Sequence, residues 1–134
     1  PEEISEFKAL IKNAGVEDKI ILRGALEGKA LQKHYQESSI YLMTSRWEGM
    51  PLVLAEAMSF GLPIIAYEQS GSDEVLEHGD YGILVSNGNI DSMVENLSLL
   101  MASLDLRKKY QVKSLQRVKD FSIEYAIEKW QKIL

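Results

Sequence analysis

Apolar and polar positions alternate in two rhythms along the 134 residues of the chain. In "PEEISEFKALIKNAG", Ile4, Phe7, Leu10 and Ile11 recur at three-and-four spacing, acids come early and Gly15 follows, which predicts an amphipathic helix. "KIILRG" is a continuous β-prone run ended by Gly24, and "KALQKHYQESS" returns to helical spacing before a second such run, "IYLMTS". "PLVLAEAMSFG" reads as a helix with Pro51 in its first turn and Gly61 just past its end. "PIIAY" gives a third strand, "SDEVLEH" a short turn of helix and "GILVS" a fourth strand; from Ile90 the pattern is helical to the end. Strands that are apolar on both faces and alternate with helices predict a parallel sheet covered on two sides, a doubly wound α/β domain. Such sheets bind ligands at the carboxyl ends of their strands, so the loops after Arg23, Ser45, Tyr67 and Val85 are where chemistry is expected.

Composition narrows the partners. The length fits one domain with its own core, and 46% hydrophobic against 26% charged residues is ordinary globular usage. A net charge of −5 and a pI near 5.1 lack the footprint of a nucleic-acid binder. The absence of cysteine excludes thiol catalysis and Cys-based zinc sites, and fits a reducing cytoplasm. No apolar run approaches the roughly 20 residues of a membrane span, and the acidic start is unlike a signal peptide. A chain that opens on Pro1 without Met reads as a piece of something longer.

The stretch "RWEGMPLVLAEAMSFG" raises a specific question. Glu56 stands amid apolar residues with no base within one turn, and a carboxylate buried without a partner costs several kcal/mol. Glu48 lies eight residues earlier, in a turn where Gly49 and Met50 present backbone N–H groups at the positive end of the helix, a seat for an anion. Gly49 lacks the side chain that would block a phosphate or sugar. Glu56 sits about 7 Å up the helix axis from Pro51, so both acids are placed to serve one extended ligand. An ionised carboxylate has two acceptor oxygens and takes both hydrogens of a vicinal diol such as a ribose. Taken singly, Glu48 reads as a solvated loop residue and Glu56 as half of a buried ion pair with a distant base; their combination with Gly49, Pro51 and Gly61 favours a ligand.

"SRWEGMPLVLAEAMSFGLPIIAY" resembles the donor-site signature of the family 4 retaining glycosyltransferases, enzymes of the GT-B fold with two Rossmann-like domains. The family pattern of Glu, seven residues, Glu is met by Glu48 and Glu56, and the similarity continues through "IILRG", the aromatic before "SSIYLMTS", "GSDEVLEHGDYGILVS" and the carboxyl-terminal helices. The resemblance implies that Glu56 binds the ribose hydroxyls of a nucleotide diphosphate sugar and that Glu48 approaches the donor sugar as the catalytic-site acid. The stretch Gly49, Met50, Pro51 and Leu52 would hold sugar and phosphate through backbone N–H groups. Ser45 at the strand end and Arg23 with Gly24 at the rim complete the implied donor site. Arg23 does not take the place of the family's diphosphate-binding basic pair, which lies upstream of any residue here.

The resemblance further implies transfer with retained configuration, no metal or other cofactor, and an acceptor, a saccharide or lipid-linked saccharide, held by an amino-terminal domain absent from the chain. Polysaccharide assembly in a bacterial cytoplasm, with peripheral attachment of the full enzyme to the membrane, is the family setting. Residues 1–134 would be a partial carboxyl-terminal domain lacking its first strands, which would leave "KIILRG" without its usual neighbours if the strand order is 3-2-1-4-5-6. Residues 122–134, with Ile123, Ile127, Trp130 and Leu134 on one stripe, would form a terminal helix that packs on the missing domain.

Two rival readings stay open. A carboxylate-pair glycoside hydrolase needs both acids in one cleft, one of them with a raised pKa. A non-catalytic nucleotide-binding α/β module such as a receiver needs an acidic cluster at the first strand end, where this chain has "IILRGAL". His34 and His78 lack metal-ligand spacing and read as structural, and Ser72 reads as the cap of the helix after Gly71.

Overall fold

The structure, a computed structural model, describes residues 2–49 and 51–122. The chain divides within its second helix into an amino-terminal unit, residues 1–32, and a larger unit from residue 33 onward. The smaller unit holds α1 (Glu2–Asn13), a 3-10 turn at Glu17–Lys19 and the start of α2 (Gly28–Glu37). Gly15, at φ +67°, follows α1 as expected. Of the predicted stripe only Ile11 is buried; Ile4, Phe7 and Leu10 are exposed.

The predicted strand "KIILRG" does not form. Ile20 is extended (φ −120°, ψ 124°), but residues 20–27 belong to no helix or strand, and Ile21 is 70% exposed. A β-prone run becomes a strand only when a neighbour supplies the ladder, and none of the described strands pairs with it.

The larger unit carries a parallel sheet of order β1-β2-β3, with β1 at Tyr41–Met43, β2 at Ile64–Tyr67 and β3 at Ile83–Val85. Helix α3 (Leu52–Ser59) links β1 to β2, α4 (Ser70–Val75) links β2 to β3, and α5 (Ile90–Ala102) and α6 (Leu104–Val118) follow. All four β2 residues are buried. Ile65 and Tyr67 join Val85 and the α5 residues Met93 and Leu100 in one cluster. Ile64 and Ala66 have the opposite parity and point to the other face. Right-handed crossovers between parallel neighbours place α3 and α4 together on that face, and the two helices touch. The sheet is therefore doubly wound, as its apolar runs predicted.

The expected continuous helix from Ile90 is broken at Ser103, which is extended and whose hydroxyl accepts from the N–H of Leu106 at 3.1 Å, with Asp105 in the new first turn. Helix α6 then packs on α3 and α5, and buried Ser114 donates from Oγ to the carbonyl of Leu62 at 2.7 Å. The cap of α4 is Gln69, not Ser72. Gln69 Oε1 accepts from Gly71 N–H, while the hydroxyl of buried Ser72 accepts from the backbone N–H of Gln69. The predicted terminal stripe lies outside the described residues. Among the described residues no helix is long and apolar enough to cross a membrane.

Candidate functional site

Because the strands are parallel, their following loops emerge at one end of the sheet, and side-chain chemistry ties them together. In the loop after β1, Asn87 Nδ2, from the loop after β3, donates to the carbonyl of Arg46 at 2.8 Å. Gly71, at the start of α4, lies against the same loop. A Cβ there would sit 2.6 Å from the Glu48 carbonyl oxygen and 2.7 Å from Pro51 Cδ. Gly71 is thus where α4 approaches the Glu48 backbone.

Between these braces Glu48 is half-buried, Ser45 likewise, and Gly49 is exposed. A Cβ on Gly49 would meet nothing within 4 Å, so the backbone is open to a close approach there. Pro51 is buried and precedes the first helical residue, Leu52, in place of the predicted first-turn position. Met50 lies outside the described residues. In the first turn of α3 the N–H of Leu54 is taken by the Pro51 carbonyl at 3.0 Å, and those of Leu52 and Val53 stand at the positive end of the helix, where an anion seat would draw on them.

Glu56 corrects one expectation. It is not marooned in the core: it is exposed, together with Leu52 at 72%, Val53 at 42% and Ser59, all on one stripe of α3, while Leu54, Ala57 and Met58 are shut off completely. The helix is apolar almost throughout, so its buried and open faces carry the same kind of residue. The Glu56 charge therefore needs no compensating cation, and among the described ion pairs it takes part in none.

Its partner is an aromatic cluster. Tyr35 donates its hydroxyl to Glu56 Oε2 at 3.4 Å. The Tyr35 ring is stacked on Phe60, with centroids 5.1 Å apart and planes at 15°, and lies 6.2 Å from the ring of Tyr41 in β1. Burial, then the Glu56 charge, pushes the Tyr35 hydroxyl up from 10.0 to about 12. Tyr41 is also pushed up, by burial first, then by the charges of Glu56 and Glu48. Both glutamates thus bear on one phenol and share one electrostatic neighbourhood.

A consequence is measurable. The unfolded chain ionises Tyr35 near pH 10.0 and the folded chain near 12, so between them the unfolded state binds fewer protons and stability falls as pH rises. This contribution is complete below pH 10 and fades towards 12. Tyr35→Phe is expected to lose less stability than the wild type across that window, read as urea midpoints at successive pH values. Equal slopes would contradict the placement of the hydroxyl.

Tyr41, Phe60, Asn87 and the packing of Gly71 were missed from the sequence, and Tyr35, the aromatic before "SSIYLMTS", entered only as part of the resemblance, with no role given to it. Arg23 and Gly24 are exposed in the amino-terminal unit, Gly24 at φ +67°. His34 is exposed, and His78 Nδ1 lies 2.7 Å from Asp73 Oδ2, a local pair at the end of α4. Among the described residues no group of three or more acidic or histidine side chains is placed to hold a metal ion.

Residues 1–117 match the family model described as Glycosyl transferases group 1. The chain belongs to that family. This group 1 glycosyl transferase chain is 38% identical over 134 residues to an uncharacterized glycosyltransferase of Haemophilus influenzae and 32% identical to the amylovoran biosynthesis glycosyltransferase AmsD of Erwinia amylovora. Each match covers 99% of the chain and 37% of the relative. The group 1 chain therefore spans little more than a third of those relatives. In structure it is similar to the Anabaena protein HepE, solved in complex with UDP and glucose, with a TM-score of 0.79, 21% identity, and coverage of 99% of this chain and 37% of that one. The group 1 chain shares its fold with GT-B glycosyltransferases.

Proposed function

We propose that the chain is the donor-binding part of a retaining glycosyltransferase that moves a glycosyl group from a nucleotide diphosphate sugar to an acceptor hydroxyl. The observation that carries the reading is an open glycine, Gly49, at the amino end of α3, with half-buried Glu48 beside it and Glu56 on the open face of the same helix, held by the Tyr35 hydroxyl. Glu56 accepts the ribose hydroxyls. Glu48 holds the donor sugar, and the backbone of Gly49 to Leu52 faces the sugar and diphosphate. Ser45, just past the end of the strand that leads to Glu48, borders the donor. Charge that develops on the leaving diphosphate meets fixed N–H dipoles that need no reorganisation, which lowers the barrier. The UDP and glucose bound by HepE are ligands of the class this arrangement would take.

In the same reading the acceptor is a saccharide or lipid-linked saccharide held by a further domain, and transfer occurs in the cytoplasm, at the membrane face when the acceptor is lipid-linked. AmsD acts in amylovoran biosynthesis, which suits a polysaccharide product.

The test is thermal unfolding with UDP, GDP and simple sugars. A nucleoside diphosphate at a hundred times its dissociation constant is expected to add about 2.7 kcal/mol, and Glu56→Ala to remove most of it while leaving the unliganded midpoint near that of the wild type, since the side chain is exposed. Stabilisation by sugars alone, or full nucleotide response in Glu56→Ala, would overturn the reading.

A further inference from the structure

We propose that Tyr35 is a positioning residue that aims the Glu56 carboxylate, and that its hydroxyl sets how strongly the site prefers ribose over deoxyribose. The inference rests on the function proposed above. Glu56 is exposed on α3 and takes part in none of the described ion pairs, so left alone its side chain would wander among rotamers that binding must then freeze. Tyr35 is the opposite kind of group. It is 7% exposed, its ring lies flat on Phe60 and it abuts Tyr41, which leaves its hydroxyl little freedom.

A rigid donor therefore meets a mobile acceptor, at Oε2 and 3.4 Å. The separation is at the long end for an O–H···O contact, so in the unliganded chain it fixes direction more than it supplies energy, and a ligand drawing on the carboxylate can close it. An ionised carboxylate offers about four lone-pair sites. With one taken by Tyr35, three remain, enough for both hydrogens of a ribose diol. Tyr35 stays a donor through the neutral range, because its proton is held to about pH 12. Its position at the end of α2, 21 residues before Glu56, explains why no local pattern in the sequence couples the two.

The test is calorimetric titration of UDP and GDP, each beside its 2′-deoxy counterpart, into wild type, Tyr35→Phe, Glu56→Gln and the double variant. Tyr35→Phe keeps the ring stack and removes only the hydroxyl. It is expected to lower the ribose-over-deoxyribose affinity ratio by about threefold to tenfold, the range for losing one ordinary hydrogen bond, as suits a contact at the long end of the range, with affinity for the deoxy nucleotide unchanged. In the Glu56→Gln background the same change is expected to add much less, because the two residues act as one unit. A uniform loss on both nucleotides with a constant ratio would mean packing alone and would overturn the inference. So would an unchanged ratio in Tyr35→Phe where Glu56→Gln abolishes it, and that outcome leaves the proposed function standing. If no nucleoside diphosphate binds, or if Glu56→Gln keeps the full ratio, the function falls and takes the role of Tyr35 with it.

Discussion

Gly71→Ala is expected to destabilise the chain by about 1–3 kcal/mol, the range for forcing an extra methyl group into a packed site. The backbone of Gly71 is not left-handed, so an alanine has no dihedral objection to the position. The obstacle is spatial. Its Cβ would stand 2.6 Å from the Glu48 carbonyl oxygen and 3.1 Å from that of Gly49, and neither is the yielding end of a flexible side chain. The loop after β1 must move away, and Glu48 moves with it. A loss of nucleotide affinity of about tenfold or more is therefore expected alongside the loss of stability, since small displacements of a positioned group carry large penalties. Gly49→Ala is the control for stability. Its Cβ enters open space, so a change within about 0.5 kcal/mol is expected. Urea midpoints at constant slope measure both variants. If they are equally stable, the close approach of α4 to the loop is wrong.

The second large effect separates two leucines that look alike in sequence. Leu54→Ala is expected to cost about 2–5 kcal/mol, because Leu54 is fully buried on α3 and its removal leaves a cavity. Leu52→Ala, two residues earlier on the same helix, is expected to change stability by less than about 0.5 kcal/mol, because Leu52 is 72% exposed. Equal costs would mean that α3 is rotated from the orientation described, which would also turn Glu56 away from Tyr35.

These leucines show how far the sequence could be read. The three strands and their parallel order were legible, because "IYLM", "IIAY" and "ILV" are apolar on both faces and are separated by helical segments. "IILR" has the same character and forms no strand, since residue preference says nothing of whether a ladder partner is present. The position of Glu56 was legible and its surroundings were not. In a helix such as "LVLAEAM", apolar residues occupy every side, so periodicity cannot tell the face that packs from the face left open. The Gly71 contact joins residues more than twenty positions apart, and so does the Tyr35 hydrogen bond, beyond the reach of any local pattern.

The strap from Asn87 to Arg46, with Gly71 wedged beneath Glu48, means that the twin-acid segment is not a portable cassette. Grafted into a foreign scaffold without residues 71 and 87, it would arrive as an unbraced loop. Donor chemistry would have to be transplanted as the whole rim of the sheet.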